Sequence, residues 1–395
     1  MNMSGNKTKV ARAKKTLDFG EHNEEVKRLW KEFEAGKPSR IPVQWSMSYK
    51  MLVLSPSLNV WGYGFRDCFD DPNTMLRAEL EFEHWRRQNV WCDWEMGLPK
   101  QWDVGVNFQN VYESCWLGAP VHFADGQVPD AEPFLKTREA MEAFVNKGIP
   151  DPFGGFMAKA KSFYEVFQER KKEGFTFKDA PLGNVWTPMG TDGPFTIAVN
   201  ITAGEILKLL YRDPDFVEKF LRFMADALLE RMKAWHRFMG VSFPYKGFGF
   251  ADDGIQLLSP KTYARFVLPL HKRIVETFCV GRPGIHLCGA VAQHLETLRD
   301  ELHIASLDTG FPLDLEKARQ VLGEDVTIRG NLHVATLYGG PKEKVEKETL
   351  RIIRSGVTRG RKFIFGEGNN VAPNTPAENL NHAYFTVKRH GRYDD

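Results

Sequence analysis

The sequence predicts an α/β chain: a single (β/α)8 barrel of the TIM type over residues 39–395, preceded by a helical extension over residues 1–38. Three observations lead there. From about residue 40 onward, short apolar runs ending in Gly, Asp or Asn alternate with amphipathic helical stretches, the signature of parallel strands joined by helical crossovers. Eight such runs can be picked out, and no linker rich in Pro, Ser or Gly divides them. With 395 residues, 42% of them apolar, the chain can fill one large core.

The elements follow in order. "MNMSGNKTKVARAKK" is a basic arm without the apolar stretch of a signal peptide, and "EHNEEVKRLWKEFEAG" is a helix. The expected strands are "RIPVQWS", "NVWCDWE", "PLGNVWTP", "FGFADD", "PGIHLCG", "IASLDTG", "VTIRGN" and "KFIFGEGN". Between them, "SPKTYARFVLPLHKRIVETF" shows how a helix is recognised. Ser259 caps the free amides of the first turn, Pro260 suits the first helical position, and Tyr263, Phe266, Val267, Leu270 and Ile274 recur on one face. Pro269 is expected to kink it.

Charge and cysteine usage narrow the partners. The 53 basic and 51 acidic residues nearly cancel, which offers no footprint for nucleic acid or an anionic membrane and favours a small molecule or a protein. Five scattered cysteines suit a reducing cytoplasm better than a disulfide framework, and no apolar run approaches the length of a membrane span. The expected location is cytoplasmic. The oligomeric state stays open, a homodimer being one option.

Barrels of this kind keep their chemistry at the C-terminal ends of the strands. Asp252 and Asp253, His286 and Cys288, Asp308, Asn331 and His333, and Glu367, Asn369 and Asn370 all fall at such ends. Each of these residues taken singly also makes a good turn, but the set points to a site. His286 and Cys288, two residues apart on a strand, lie on one face and can chelate one tetrahedral ion. Asp252 and Asp253 point to opposite faces unless Gly254 turns the chain early, and Asp253 is the one expected at the substrate. Trp45, Trp91, Trp94, Trp116 and Trp186 can stack on an arene or fill the core. His236, His271 and His294 sit on helices and are expected to be structural or solvated.

"FADDGIQLLSPKTYARFVLPLHKRIVE", "HLCGAVAQHLETL", "IRGNLHVATLYGGPKEKVEKETLRII" and "GEGNNVAPNTPAENL" resemble the uroporphyrinogen decarboxylase superfamily, and within it the cobamide-dependent methyltransferases. The decarboxylases carry an Arg-rich N-terminal signature for a substrate with many carboxylates. Here the equivalent "RIPVQWSMSYKMLVL" has only Arg40, so a porphyrinogen substrate is disfavoured, although Asp93 sits near the place of the decarboxylases' essential aspartate.

The methyltransferase resemblance implies zinc held by His286, Cys288 and a late third ligand. The family's cysteine at that place is missing, and Glu367 or, on a different alignment, Asn369 stands there; Glu367 is the chemically better ligand, with Asp252 or Asp253 as a fourth oxygen donor. Such a zinc is more electron-poor than one bearing two thiolates, which suits polarising the oxygen of a methyl donor. The implied reaction is O-demethylation: methyl transfer from a methoxylated aromatic to the cobalt(I) of a corrinoid carried by a partner protein. Asp253 and His333 are expected to be catalytic, and Asp93, Trp186, Asn331 and Asn370 to bind substrate. The alternatives are methyl transfer from a methylated corrinoid to a thiol, a related corrinoid methyltransferase, and a uroporphyrinogen decarboxylase-like reaction.

Overall fold

The structure, a computed structural model, describes residues 18–393; the basic arm lies outside them. The first helix, Gly20–Glu34, buries Val26 and Leu29 and packs on the segment that follows Asn89. There Trp30 Nε1 donates to the Asp93 carbonyl at 2.7 Å, and Asn23 donates to the Met96 carbonyl at 3.0 Å.

The strands of the main array are β1 (Trp102–Gly105), β2 (Ala180–Trp186), β3 (Gly249–Ala251), β4 (Gly284–Leu287), β5 (Ser306–Thr309), β6 (Thr327–Leu332) and β7 (Phe363–Glu367), beside three two-residue strands at Val121–His122, Asp130–Ala131 and Thr176–Phe177. The last five form one parallel sheet in sequence order, and β1 pairs in parallel with β2. A bond from Ala251 N to the Thr191 carbonyl (3.1 Å) joins the β2 side to β3. At the other edge Gln44 N donates to the Phe365 carbonyl (2.9 Å) and Phe365 N to the Pro42 carbonyl (2.8 Å), so residues 40–46 run parallel beside β7. Pro42 has no N–H, which limits that segment to a bridge rather than a full strand. Main-chain pairing therefore runs from β1 round to residue 43, and one bond, from Asp93 N to the Val43 carbonyl (2.8 Å), carries it on to the segment after Asn89. Among the described residues it does not close the ring between residue 43 and β1.

Seven of the eight expected runs lie where expected: six form strands and "RIPVQWS" forms the bridge on β7. "NVWCDWE" does not form a strand, because side chains take up its polar groups. Trp91 N donates to Asn381 Oδ1 (2.8 Å), and Asp93 turns inward onto Arg40 and Val43 N. The strand comes later, at Trp102–Gly105, in a stretch the sequence reading passes over. The kink expected at Pro269 appears as two helices, Pro260–Phe266 and Leu268–Phe278, the second with that proline in its first turn.

Strand alternation divides the sheet into a buried face and an open one. Ile285, Leu287, Leu307 and Ile328 are buried towards the helices. On the opposite face the register sets Gly249, Gly284, Ser306 and Thr327 in one row and Ala251, His286, Asp308 and Arg329 in the next. The lower row carries almost no side chain. A cavity of about 420 Å³ lies there, lined by Gly249, Gly284, Ser306, His286 and Asp308 among others.

Candidate metal centre

The upper row is the foundation of the site. His286 projects from β4 with its ring between two partners: Nδ1 lies 2.9 Å from Asp308 Oδ2 and Nε2 lies 2.9 Å from Cys288 Sγ. Asp253 follows β3, and its Oδ1 accepts the Cys288 amide at 2.5 Å and stands 3.9 Å from His286 Nε2. One ligand atom each from Asp253, His286 and Cys288 falls within 4.8 Å of the others. A tetrahedral zinc with bonds near 2.0–2.3 Å separates its donors by roughly 3.5 Å, so this thiolate, imidazole and carboxylate fit such an ion.

Local sequence explains why Asp253, and not Asp252, joins the cluster. Asp252 is fully buried and accepts bonds from Phe195 N (3.2 Å), Thr196 N (2.7 Å), Thr196 Oγ1 (2.6 Å) and His271 Nε2 (2.9 Å), capping the helix Pro194–Ile201. Gly193 (φ +90°) lies against it, where an added Cβ would sit 2.4 Å from both Asp252 Cγ and the Ala251 carbonyl. The chain then turns at once, with Gly254 N bonded to Thr196 Oγ1 at 2.8 Å, and this swings Asp253 to the strand ends.

Behind His286 runs a chain of charges. Arg329 Nη1 donates to Asp308 Oδ1 (2.7 Å), and Arg329 Nη2 donates to Ser46 Oγ (2.8 Å) and Glu367 Oε1 (3.2 Å). Burial alone would raise the Asp308 pKa, but the bonds from His286 and Arg329 overcome it and hold the carboxyl below its usual range. Burial alone would lower the His286 pKa, yet the hydrogen bonds to Asp308 and Cys288 outweigh it and raise the imidazole to about 11 in the metal-free chain.

The structure places three of the expected residues away from this cluster. Glu367 is not beside the His–Cys pair: it is fully buried, takes the Ser46 amide at 3.1 Å and pairs with Arg329. Asp93 does not face the strand ends. It is fully buried, accepts both Nη atoms of Arg40 at 2.7 Å and the Val43 amide at 2.7 Å, and so serves structure. Asn331 spends its amide hydrogens on the carbonyls of Gly310 (3.0 Å) and Leu313 (2.8 Å), fixing the loop after β5 from a buried position.

Other expected residues keep positions at the strand ends. His333 follows β6 and takes the Ala335 amide on Nδ1 (3.0 Å), with its ring 4.2 Å from that of Phe311; only Nε2 is left to meet a ligand. Asn369 and Asn370 are exposed on the loop after β7. Trp186 ends β2 with 46% of its surface exposed, its indole lying across Gly105, where a Cβ would come within 2.2 Å of the ring. Trp45 and Trp116 are buried, and Trp91 and Trp94 pack beside the first helix or over Arg86.

Three side chains around this cluster have no role in the sequence reading. Asp308 stands among its strand ends without an assignment, and Arg329 in "VTIRGN" is passed over although a charged residue inside an apolar strand is itself a signal. The third, Asp192, is half-buried on the loop after β2; burial first, then the negative charges of Glu113 and Asp253, hold its carboxyl above the usual range. Glu113 is itself buried against Arg231 and binds the Asp192 amide at 2.7 Å.

Comparison with known proteins agrees with this architecture. The model of the family "Uroporphyrinogen decarboxylase (URO-D)" matches residues 104–390. The uroporphyrinogen decarboxylase of Gloeobacter violaceus is 25% identical over 340 residues, covering 82% of this chain and 86% of that protein. That of Myxococcus xanthus is 28% identical over 301 residues, covering 73% and 80%. Among solved structures, a methyltransferase from Methanosarcina mazei superposes with a TM-score of 0.62 at 17% identity, over 92% of this chain and 98% of that one, a likeness of fold. No helix among the described residues is long and apolar enough to cross a membrane.

Proposed function

The chain belongs to the uroporphyrinogen decarboxylase family, and within it we propose a zinc-dependent methyltransferase that moves a methyl group from a methoxylated aromatic to the cobalt(I) of a corrinoid carried by a partner protein. The observation that carries this reading is the convergence of Asp253, His286 and Cys288, three metal-ligand types within 4.8 Å at the strand ends. The shared fold with the archaeal methyltransferase supports it. We also read the strand array as a closed (β/α)8 barrel, with residues 40–46 adjoining β1.

Zinc held by these three residues supplies Lewis-acid polarisation of the donor's oxygen. The chain does the rest. Asp308 accepts a hydrogen bond from His286 Nδ1–H, which keeps the proton there and leaves Nε2 facing Cys288 and Asp253. Trp186 offers an exposed face to the arene. The reaction balances as ArOCH3 + Co(I) + H+ → ArOH + CH3–Co(III): the cobalt electron pair forms the C–Co bond, and the C–O pair stays on oxygen. Asp192, which keeps its proton to higher pH than an ordinary carboxyl, is the proton source for that oxygen. Leu257, Phe311 and Tyr338, each about half exposed (54%, 48% and 52%) on the segments after β3, β5 and β6, give a partner protein apolar surface to bind.

The second reading, decarboxylation, is favoured by the names of the curated relatives. Against it, Asp93 and Arg40 are locked together in the interior, away from any substrate carboxylate. One experiment separates the two. Zinc-loaded protein incubated with a methoxybenzoate and chemically reduced cobalamin is expected to yield methylcobalamin and the phenol, seen by absorbance and chromatography. Release of carbon dioxide from a uroporphyrinogen with no demethylation of any aryl ether would overturn the proposal.

A further inference from the structure

Arg329 lies at the centre of the charged row, and its place suggests more than a buried ion pair. Its side chain is 13% exposed and bridges two carboxylates on neighbouring strands, Asp308 on β5 (2.7 Å) and Glu367 on β7 (3.2 Å), while also donating to Ser46 Oγ (2.8 Å). The Asp308 oxygen that Arg329 leaves free is the one that meets His286 Nδ1 at 2.9 Å. Three strands in register thus deliver one line of contacts, with Arg329 opposite Asp308 and Asp308 opposite His286.

We infer that Arg329 is the positioning residue of the metal centre: through Asp308 it fixes the ring orientation and tautomer of His286 and so sets how tightly the site holds a divalent cation. The inference rests on the zinc reading of the Asp253–His286–Cys288 cluster and adds to it a residue that touches neither metal nor substrate. A carboxylate turned towards a histidine is free to rotate about two torsions. The two-point hold from Arg329 on one side and the ring on the other removes that freedom before any ion arrives, and preorganisation of this kind raises affinity by reducing what binding must order. Glu367 gains a role in the same step. Being fully buried and fixed by the Ser46 amide, it anchors the guanidinium rather than the ion.

The arrangement makes a prediction that a purely structural ion pair does not share. If Arg329 acts through Asp308, the two are not independent. Arg329→Gln is expected to weaken zinc binding about 10- to 100-fold, the range typical of lost outer-shell partners. Asp308→Asn is expected to lose a similar factor. The double variant is then expected to lose no more than Asp308→Asn alone, and Arg329→Lys is expected to recover part of the loss by keeping the charge without the fork.

Affinity is read on the full-length chain by competition of Zn2+ against a chromophoric chelator. The thiolate and visible absorption bands of the Co2+-loaded protein report on site geometry, and thermal melting of the metal-free variants reports on the fold. Wild-type protein that binds zinc together with Arg329→Gln protein that binds it equally well would overturn the inference while leaving the metal reading intact. So would losses that add in the double variant, or an Arg329→Gln protein whose metal-free melting temperature falls while its affinity and cobalt spectrum stay unchanged. Wild-type protein with no measurable zinc affinity would overturn both readings.

Discussion

Two Arg–Asp pairs in this molecule meet at the same distance and have opposite consequences. Arg40 and Asp93 meet at 2.7 Å, as do Arg329 and Asp308. The first pair has side chains 4% and 0% exposed, and its network ends in the interior, on Glu25, on the Val43 amide and, through the Tyr384 hydroxyl (3.4 Å from Asp93 Oδ1), on the buried His22. The second is 13% and 34% exposed, on the open face of the sheet, and its chain of bonds leads to a histidine and a thiol. Residue type and distance do not separate structure from chemistry here. What separates them is whether the last member of the network faces the core or the strand ends.

The largest effect tests the buried half of that contrast. Asp93→Asn leaves Arg40 without its bidentate partner in the interior and is expected to lower unfolding free energy by about 3 kcal/mol, measured by denaturant titration, with zinc affinity of the folded fraction unchanged. Cys288→Ser is the mirror case. Zinc affinity is expected to drop about 100-fold, roughly 2.7 kcal/mol, with the denaturation midpoint of the metal-free chain almost unmoved. Equal damage to fold and affinity by both variants would erase the distinction.

A finer cut concerns the third ligand. Asp253→Asn is expected to cost zinc affinity about tenfold, and Glu367→Gln less, because Glu367 reaches the site only through Arg329. A larger loss at Glu367 would restore it as a ligand. The pH dependence comes next. In the metal-free chain the His286 imidazole is raised to about 11, against an ordinary value of 6.5, so its contribution to stability is complete below about pH 6.5 and is lost as pH rises towards 11. Zinc needs the neutral ring, so apparent affinity is expected to rise by up to about tenfold per pH unit between pH 6 and 9 for this proton. Asp308→Asn removes a partner that raises the pKa and is expected to flatten that slope. The smallest effect is expected for Trp186→Leu, a few-fold rise in KM for an aryl donor with kcat unchanged, seen in steady-state demethylation kinetics.

Much of the site could be read in the sequence because strand alternation is a strict rule. His286 and Cys288 share a face whatever the tertiary structure does, and "FGFADD" followed by Gly254 already hints that the second aspartate escapes the strand. Which carboxylate joins His286 and Cys288 was out of reach for a different reason. Glu367 and Asp253 are both carboxylates at strand ends, and only the folded structure shows that the Arg329 side chain, from a position opposite Ile364, reaches along the sheet to one of them. The same limit explains "NVWCDWE". Its apolar pattern is that of a strand, but the side chains of Asn381, Trp45 and Trp30 take its main-chain groups at Trp91 and Asp93, and of these two residues only the Asp93 amide keeps a main-chain bond, to Val43. Local pattern records which way a side chain points; it does not record which neighbour is waiting there.

The bond between the Ser46 amide and Glu367 spans 321 positions of sequence. During synthesis at about 5–20 residues per second, roughly 16 to 64 seconds separate the emergence of these partners from the ribosome. For that interval Asp308 and Arg329, once made, still lack the anchor that fixes them, and residues 40–46 lack the strand they lie beside. The Asp253–His286–Cys288 cluster is therefore among the last parts of the protein to acquire its final form. A nascent chain halted before residue 363 would carry His286 and Cys288 without the Glu367 anchor behind Asp308 and Arg329, so the cluster reaches its final order only after translation of the final strand.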